Sequence, residues 1–341
     1  MVGSHKITSP GHCRTAADDG TYGPDIQGGS PAYRGVTGGI TEADAVPRAL
    51  PTDSYDQEGT AMLRPAPTSP AHLTPPVTPH LLADLAVAAC TARLRLPHIP
   101  DVAAPDDPDG AAEARSLQAL RPTFAAIAET ADGRPLDRGL RAELGRLGEQ
   151  ARDGAAGHQG ELWAVGLLVA GAAATGCRSA YTACAAAATL ARLPYDGAPG
   201  PADTPGGRAR LHFHVPGATG QAESGFPNVR RVALPALRES RAHGRPEVAA
   251  RMDALLTLMA TLDDTSLLHE GGPAALLSVQ MDARDVVRAG GYDSPGGRAA
   301  LDRLHARMRD SGLTPRGSHA VLSAALFLDF TFGTEGMTPG V

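Results

Sequence analysis

The chain has 341 residues, enough for one large or two modest domains, and sets 31 Lys+Arg against 37 Asp+Glu. That mild acidity leaves no footprint for nucleic acid or for an anionic membrane surface. With aromatics at 4% and Ala, Leu and Arg prevalent, the core is expected to consist of small and aliphatic side chains, which suits closely packed helices better than sheets.

Residues 1–75 carry Gly and Pro clusters such as Gly28-Gly29-Ser30-Pro31 and no sustained apolar period, and read as a disordered extension. His5 and Cys13 fall within it and have no partner at ligand spacing. Order is expected over 76–333 as one all-α domain, followed by a short tail at 334–341. A first helix begins at Thr78-Pro79 and runs to about Leu96. After a Pro- and Asp-rich loop, 97–110, a second helix spans about Ala111 to Thr130, with Pro122 predicting a kink or a break inside it. A third runs from Leu136 to about Asp153 and leads into Gly154-Ala155-Ala156-Gly157-His158-Gln159-Gly160.

Glu161 to Ala170 is apolar on nearly every side, so it is expected to be a central buried helix. Its first turn follows a Gly-flanked His158, at a helix N-terminus with free N–H groups; the bland reading is a tight interhelical turn. Ala180 to Leu193 gives a further helix, and Ala209 to Val215 alternates as the one good strand candidate. His212 and His214 would share a face of that strand, but no third metal ligand stands at a recognisable spacing. Gly220 to Pro227 reads as a polar turn into a helix with Leu234 and Leu237.

Val248, Met252, Leu255, Leu256, Met259 and Leu262 then mark one buried helical face. It is expected to continue through Asp263-Asp264 to His269 and to stop at Gly271-Gly272, which would put His269 in a C-terminal turn where the helix dipole favours its protonated form. Helices to about Ala289, through Leu301, Leu304 and Met308, and from Gly317 to Phe330 complete the chain. Four cysteines without metal spacing, three of them in Ala-rich helical sequence, read as reduced buried thiols and suit the cytoplasm. No signal sequence appears, and the apolar run from Leu162 to Ala174 is too short to span a bilayer.

Taken in order, Leu120 to Ala128, Leu162 to Ala170, Gly225-Phe226-Pro227 and Leu258 to Thr265 resemble the triphosphoribosyl-dephospho-CoA synthase family, especially its malonate decarboxylase-associated members. The resemblance implies an all-helical transferase that joins ATP to the 2′-hydroxyl of 3′-dephospho-CoA and releases adenine. It further implies Mg²⁺ on carboxylates, and a product destined for the decarboxylase's prosthetic group with malonate decarboxylase maturation proteins as partners.

Carried over residue by residue, the resemblance puts Asp264 and, nearby, Glu223 on Mg²⁺. His158 and His269 would contact phosphate or act as acid and base beside Asp264, while Gly160, Gly271, Gly272, Gly317, Ser318 and Arg316 would approach the nucleotide. On that reading Asp264→Asn abolishes turnover with folding nearly intact.

The pattern also departs from the family's. Gln159 stands for a cation, Gln221 for a carboxylate, Ser266 for Asn and Glu270 for Arg. In the late block Thr314-Pro315-Arg316-Gly317-Ser318-His319-Ala320, Arg316 replaces Gly and Ala320 replaces Asp. These changes set beside the enzyme two other readings: a catalytically silent homologue that binds nucleotide or a partner protein, and a transferase with a different acceptor.

Overall fold

A computed structural model describes residues 77–96, 108–155, 157–197 and 200–333. The expected extension at 1–75, most of the 97–110 loop and the tail at 334–341 lie outside the described residues. Within them the chain is helical, and no strand is present.

The helices, in order, are α1 (Pro79–Ala92), α2 (Pro108–Gln118), α3 (Arg121–Ala131), α4 (Arg138–Ala151), α5 (Gln159–Ala174), α6 (Ala180–Arg192), α7 (Pro205–Phe213) and α8 (Gly217–Glu223). They continue as α9 (Leu234–Ala242), α10 (Glu247–Met259), α11 (Thr265–Arg288), α12 (Pro295–Asp310) and α13 (Arg316–Phe332). Their starts follow side-chain chemistry. Thr78 accepts from Leu81 N, Asp137 from Leu140 N, and Ser179 and Thr182 form a reciprocal cap on α6. Pro122 falls in the first turn of α3 and separates it from α2, as its position in the sequence predicted.

The centre of the fold is α5 against α13. From Leu162 onward α5 is almost wholly buried, and so is α13 from Ser318 to Asp329. α1, α3 and α6 close around α5, while α1 and α10 close around α13. Phe124, Phe226 and Phe327 are among the largest fully buried side chains, each contributing about 1.5–3 kcal/mol of burial. Arg241 locks three helices: its guanidinium donates to both oxygens of Asp329 on α13, at 2.8 and 2.7 Å, and to Glu247 of α10 at 2.9 and 2.7 Å. No helix of the described residues is long and apolar enough to cross a membrane.

Several expectations need correction. Residues 209–215 are not a strand: α7 covers Pro205–Phe213, capped by Thr204 Oγ1 on Gly207 N at 3.0 Å and ended by His214 in the left-handed conformation. The deciding cap and proline lay outside the alternating window, and the alternation reflects a helix of exposed and half-buried residues in which only Ala209 is buried. His214 lies beyond the helix, so the two histidines do not form a strand-face pair. Gly217–Glu223 is likewise a short helix rather than a turn, and a wide π-type turn, Val229–Ala233, precedes α9.

Most consequentially, α10 stops at Met259, and Asp264 begins a new helix instead of ending the old one. Leu262 preserves the apolar period because, within the connection, its side chain is buried while Thr261 and Asp263 are exposed. Gly272, with φ 69° and ψ −170°, kinks α11 ahead of Pro273, so the double glycine does interrupt a helix. His269 therefore lies in the last turn before this kink, as expected, but in the opening segment of α11 and not at the end of α10. Cys177 also sits in the turn after α5 with positive φ, not in a helix. Cys90, Cys177 and Cys184 are free thiols, and burial pushes Cys177 up to about 11 and Cys184 up to about 12.

Candidate active site

The N-termini of α11 and α13 meet on one carboxylate. Asp264 is 1% exposed. Its Oδ1 accepts from Ser266 N at 3.0 Å and Gly317 N at 3.2 Å, with Ser266 Oγ at 2.5 Å. Its Oδ2 accepts from Ser318 N at 2.7 Å and Ser318 Oγ at 2.9 Å. One side chain thus caps two helices and meets both positive helix ends. Gly317 is required for that approach, since a Cβ there would lie 2.7 Å from Oδ1. The sequence-predicted Gly317 and Ser318 are hence brought to Asp264, and the first N–H groups of α13 are already engaged.

The other face of the same turn borders a cavity of about 370 Å³, the size of a small-molecule site. Arg93, from the turn that extends α1, is its buried cation. Arg93 Nη2 donates to Glu113 Oε1 of α2 at 2.6 Å, and Nε lies 3.1 Å from Glu161 Oε1 of α5, at ion-pair distance without hydrogen-bond alignment. Two carboxylates around one guanidinium keep all three charges tolerable in the interior.

His158 immediately precedes α5 and is 4% exposed. Its Nδ1 stands 3.4 Å from Arg93 Nη2. A guanidinium only donates, so Nδ1 is the acceptor and the ring proton sits on Nε2. Burial holds this imidazole below its ordinary pKa of 6.5, with the Glu161 charge opposing, so it is neutral near pH 7.

Arg316, at the start of α13, lines the cavity and is the more exposed cation. It pairs with Glu270 of α11, whose other oxygen accepts from Thr314 N at 2.8 Å. The two departures that look independent in sequence, an acid at 270 and a cation at 316, are two halves of one ion pair. His319, on the next turn, completes the wall.

Of the predicted residues, His158 and Arg316 therefore reach the cavity, and Gly317 and Ser318 reach Asp264. Gly160 lies where α5 meets α13, with a Cβ there only 3.0 Å from that of Ala320. Gly271 abuts Ala275 and Leu313, and Gly272 forms the kink. His269 is exposed and does not line the cavity. Glu223 ends α8, which packs on α5, α6 and α7, and is not among the partners of Asp264. Among the described residues no group of three or more His, Cys, Asp or Glu is arranged to hold a metal ion. With its oxygens already facing five donors, Asp264 does not fit the role of a Mg²⁺ ligand.

Arg93, Glu113, Glu161 and His319 were not singled out from sequence. The available signal was a charged residue inside an otherwise apolar stretch, as Glu161 is in α5 and Arg93 is after α1, because such a charge must be paired when buried.

Comparison with known proteins agrees with the resemblance. Residues 82–338 match the family model described as CitG, ATP:dephospho-CoA triphosphoribosyl transferase. The 2-(5″-triphosphoribosyl)-3′-dephosphocoenzyme-A synthase of Klebsiella pneumoniae is 44% identical over 227 residues, 64% of this chain and 81% of the relative. Proteins named as probable synthases of the same kind in Stutzerimonas stutzeri and Azotobacter vinelandii are each 42% identical, over 63% of this chain and 77% and 76% of their own lengths. No solved structure matches the chain. On a match that spans the described helices from α1 to α13, the chain belongs to the ATP:dephospho-CoA triphosphoribosyl transferase family.

Proposed function

We propose that the chain is a triphosphoribosyl-dephospho-CoA synthase acting through the cavity between α2, α5 and α13. In the reaction the bond from the ATP ribose C1′ to adenine breaks, and a bond from C1′ to the 2′-oxygen of 3′-dephospho-CoA forms. The proton lost by that hydroxyl balances the one gained by the departing adenine. The observation that carries the reading is the neutral, buried His158, oriented by Arg93 at a cavity that Arg316 also borders. Its Nε2–H is available as a donor to the leaving base, and Arg316 offers charge to triphosphate oxygens. Because the α13 N–H groups are held by Asp264, anion binding falls to side chains rather than to that helix end.

The family resemblance also implies Mg²⁺. The described donors do not form a site for it, and no step here is assigned to it. Asp264 accordingly acts as the scaffold for the cavity wall. In this reading the product supplies the prosthetic group of malonate decarboxylase, maturation proteins of that enzyme are the partners, and the compartment is the cytoplasm, where thiols stay reduced.

The test is adenine release from ATP, followed by chromatography, with and without 3′-dephospho-CoA and with and without Mg²⁺. Adenine that depends on 3′-dephospho-CoA, together with the coupled product, is the expected result. ATP binding without adenine would favour a silent homologue, and stimulation by another alcohol instead would favour a different acceptor.

A further inference from the structure

A residue of the cavity wall carries a polar atom that the described residues leave unsatisfied. His319 follows Ser318 in the first turns of α13, borders the cavity and is 4% exposed. Its Nε2 is sealed from solvent and has no hydrogen-bond partner among the described residues, so a ligand meets this nitrogen only when the ring turns toward the cavity that the residue borders. A buried polar atom without a partner opposes folding, and α13 continues from here as an apolar run in which a hydrocarbon side chain would be at home. The fold retains an imidazole nonetheless.

The surroundings indicate what would satisfy it. Burial, reinforced by the guanidiniums of Arg93 and Arg316, holds the ring well below its ordinary pKa and therefore neutral. A neutral imidazole nitrogen donates or accepts according to tautomer. A neutral ring offers no charge to an anionic oxygen, and both guanidiniums are already paired with carboxylates, so the ring is matched to an uncharged polar group.

We propose that His319 is a substrate-contacting residue of this cavity, whose Nε2 takes its missing hydrogen bond from an uncharged polar group of a bound nucleotide, either a ribose hydroxyl or a nitrogen of the base. The identity of the ligand rests on the transferase reading; the unsatisfied nitrogen at a cavity does not. Such a contact is specificity-determining, because a ligand without the group leaves the nitrogen buried and unpaired.

The experiment uses the full chain labelled with ¹⁵N-histidine, the His319 ring signals being identified by their loss in His319→Gln. Adenine, ATP and 3′-dephospho-CoA are titrated separately, with binding followed in parallel by calorimetry. The expected result is movement of the His319 ring nitrogen signal with at least one probe. A response to adenine identifies the base; a response confined to ATP or 3′-dephospho-CoA identifies the ribose. His319→Leu should weaken binding of that probe at least tenfold without lowering the melting temperature of the ligand-free protein, and His319→Gln should recover part of the affinity. A probe that binds while the His319 signal stays fixed overturns the inference and leaves the transferase reading standing. So does a His319→Leu protein that melts earlier but binds every probe as before. If none of the probes binds, the transferase reading fails and the inference fails with it.

Discussion

Replacing Asp264 with Asn tests the central joint of the structure. The carboxylate faces two sets of donors, Ser266 and Gly317 at Oδ1 and Ser318 at Oδ2. An amide keeps one oxygen and must turn its NH₂ toward the other set. Hydroxyls can rotate to accept, but a backbone N–H cannot, so at least one is left facing a donor. Losing one of the two caps costs about 1 kcal/mol, and stranding a buried donor costs a further ~1–3 kcal/mol, giving a loss of about 2–4 kcal/mol. That is a large share of a typical domain's stability. Urea unfolding followed by helical circular dichroism measures it. This reverses the expectation from sequence that the variant folds nearly normally. An unfolding free energy within about 0.5 kcal/mol of the parent, as for an ordinary surface change, together with lost turnover, would refute the capping role and restore Asp264 as a group that faces ligand or metal.

Gly317→Ala should destabilise through the same contact, its Cβ being placed 2.7 Å from Asp264 Oδ1, and a double variant with Asp264→Asn should be less destabilised than the sum, as a thermodynamic cycle would show. Breaking the Glu270–Arg316 pair with Arg316→Gln, half exposed at that residue, should cost at most about 0.5–1 kcal/mol and less at high salt, whereas Glu270→Lys should cost more in urea unfolding because Thr314 N also loses the Glu270 acceptor. His158 and His319 both have depressed folded pKa values, so below about pH 6.5 the unfolded chain takes up protons that the folded chain does not. Stability should then be flat above that pH and fall as the pH drops, by up to ~1.4 kcal/mol per unit per histidine, and His319→Gln should flatten the decline; an unchanged slope would contradict the burial of a neutral ring. Cys90 and Cys184 should resist alkylation in the native protein while a urea-treated control reacts fully, as peptide mapping would reveal, because burial pushes both thiols up.

Most of the longer helices and their order were legible because α5, α10, α12 and α13 carry long apolar periods, and Thr78 and Pro122 mark boundaries by local chemistry. The Asp264 region was misread for a physical reason. One buried side chain in the connection, Leu262, keeps the hydrophobic period going after the helix has ended, so periodicity alone does not show that Asp264 starts a helix. The short α7 was misread because alternation over a few residues is shared by strands and exposed helices. At the site, local motifs singled out His158 and the 314–320 block, which lie at the N-termini of the two central helices. They did not reveal that Glu270 answers Arg316, or that Arg93 joins Glu113 to Glu161, because these contacts are made only when distant turns are folded together.

The most direct test sets two histidines against each other. Both read as catalytic in sequence, yet His158 is buried at the cavity and His269 is exposed and does not line it. Adenine release dependent on 3′-dephospho-CoA should be measured for His158→Ala and His269→Ala beside the parent, with folding checked by circular dichroism. The expected result is a loss of about 10²-fold or more for His158→Ala and activity within about twofold for His269→Ala, as for a surface residue. Loss of activity in His269→Ala with His158→Ala unimpaired would contradict the placement of the reaction in this cavity.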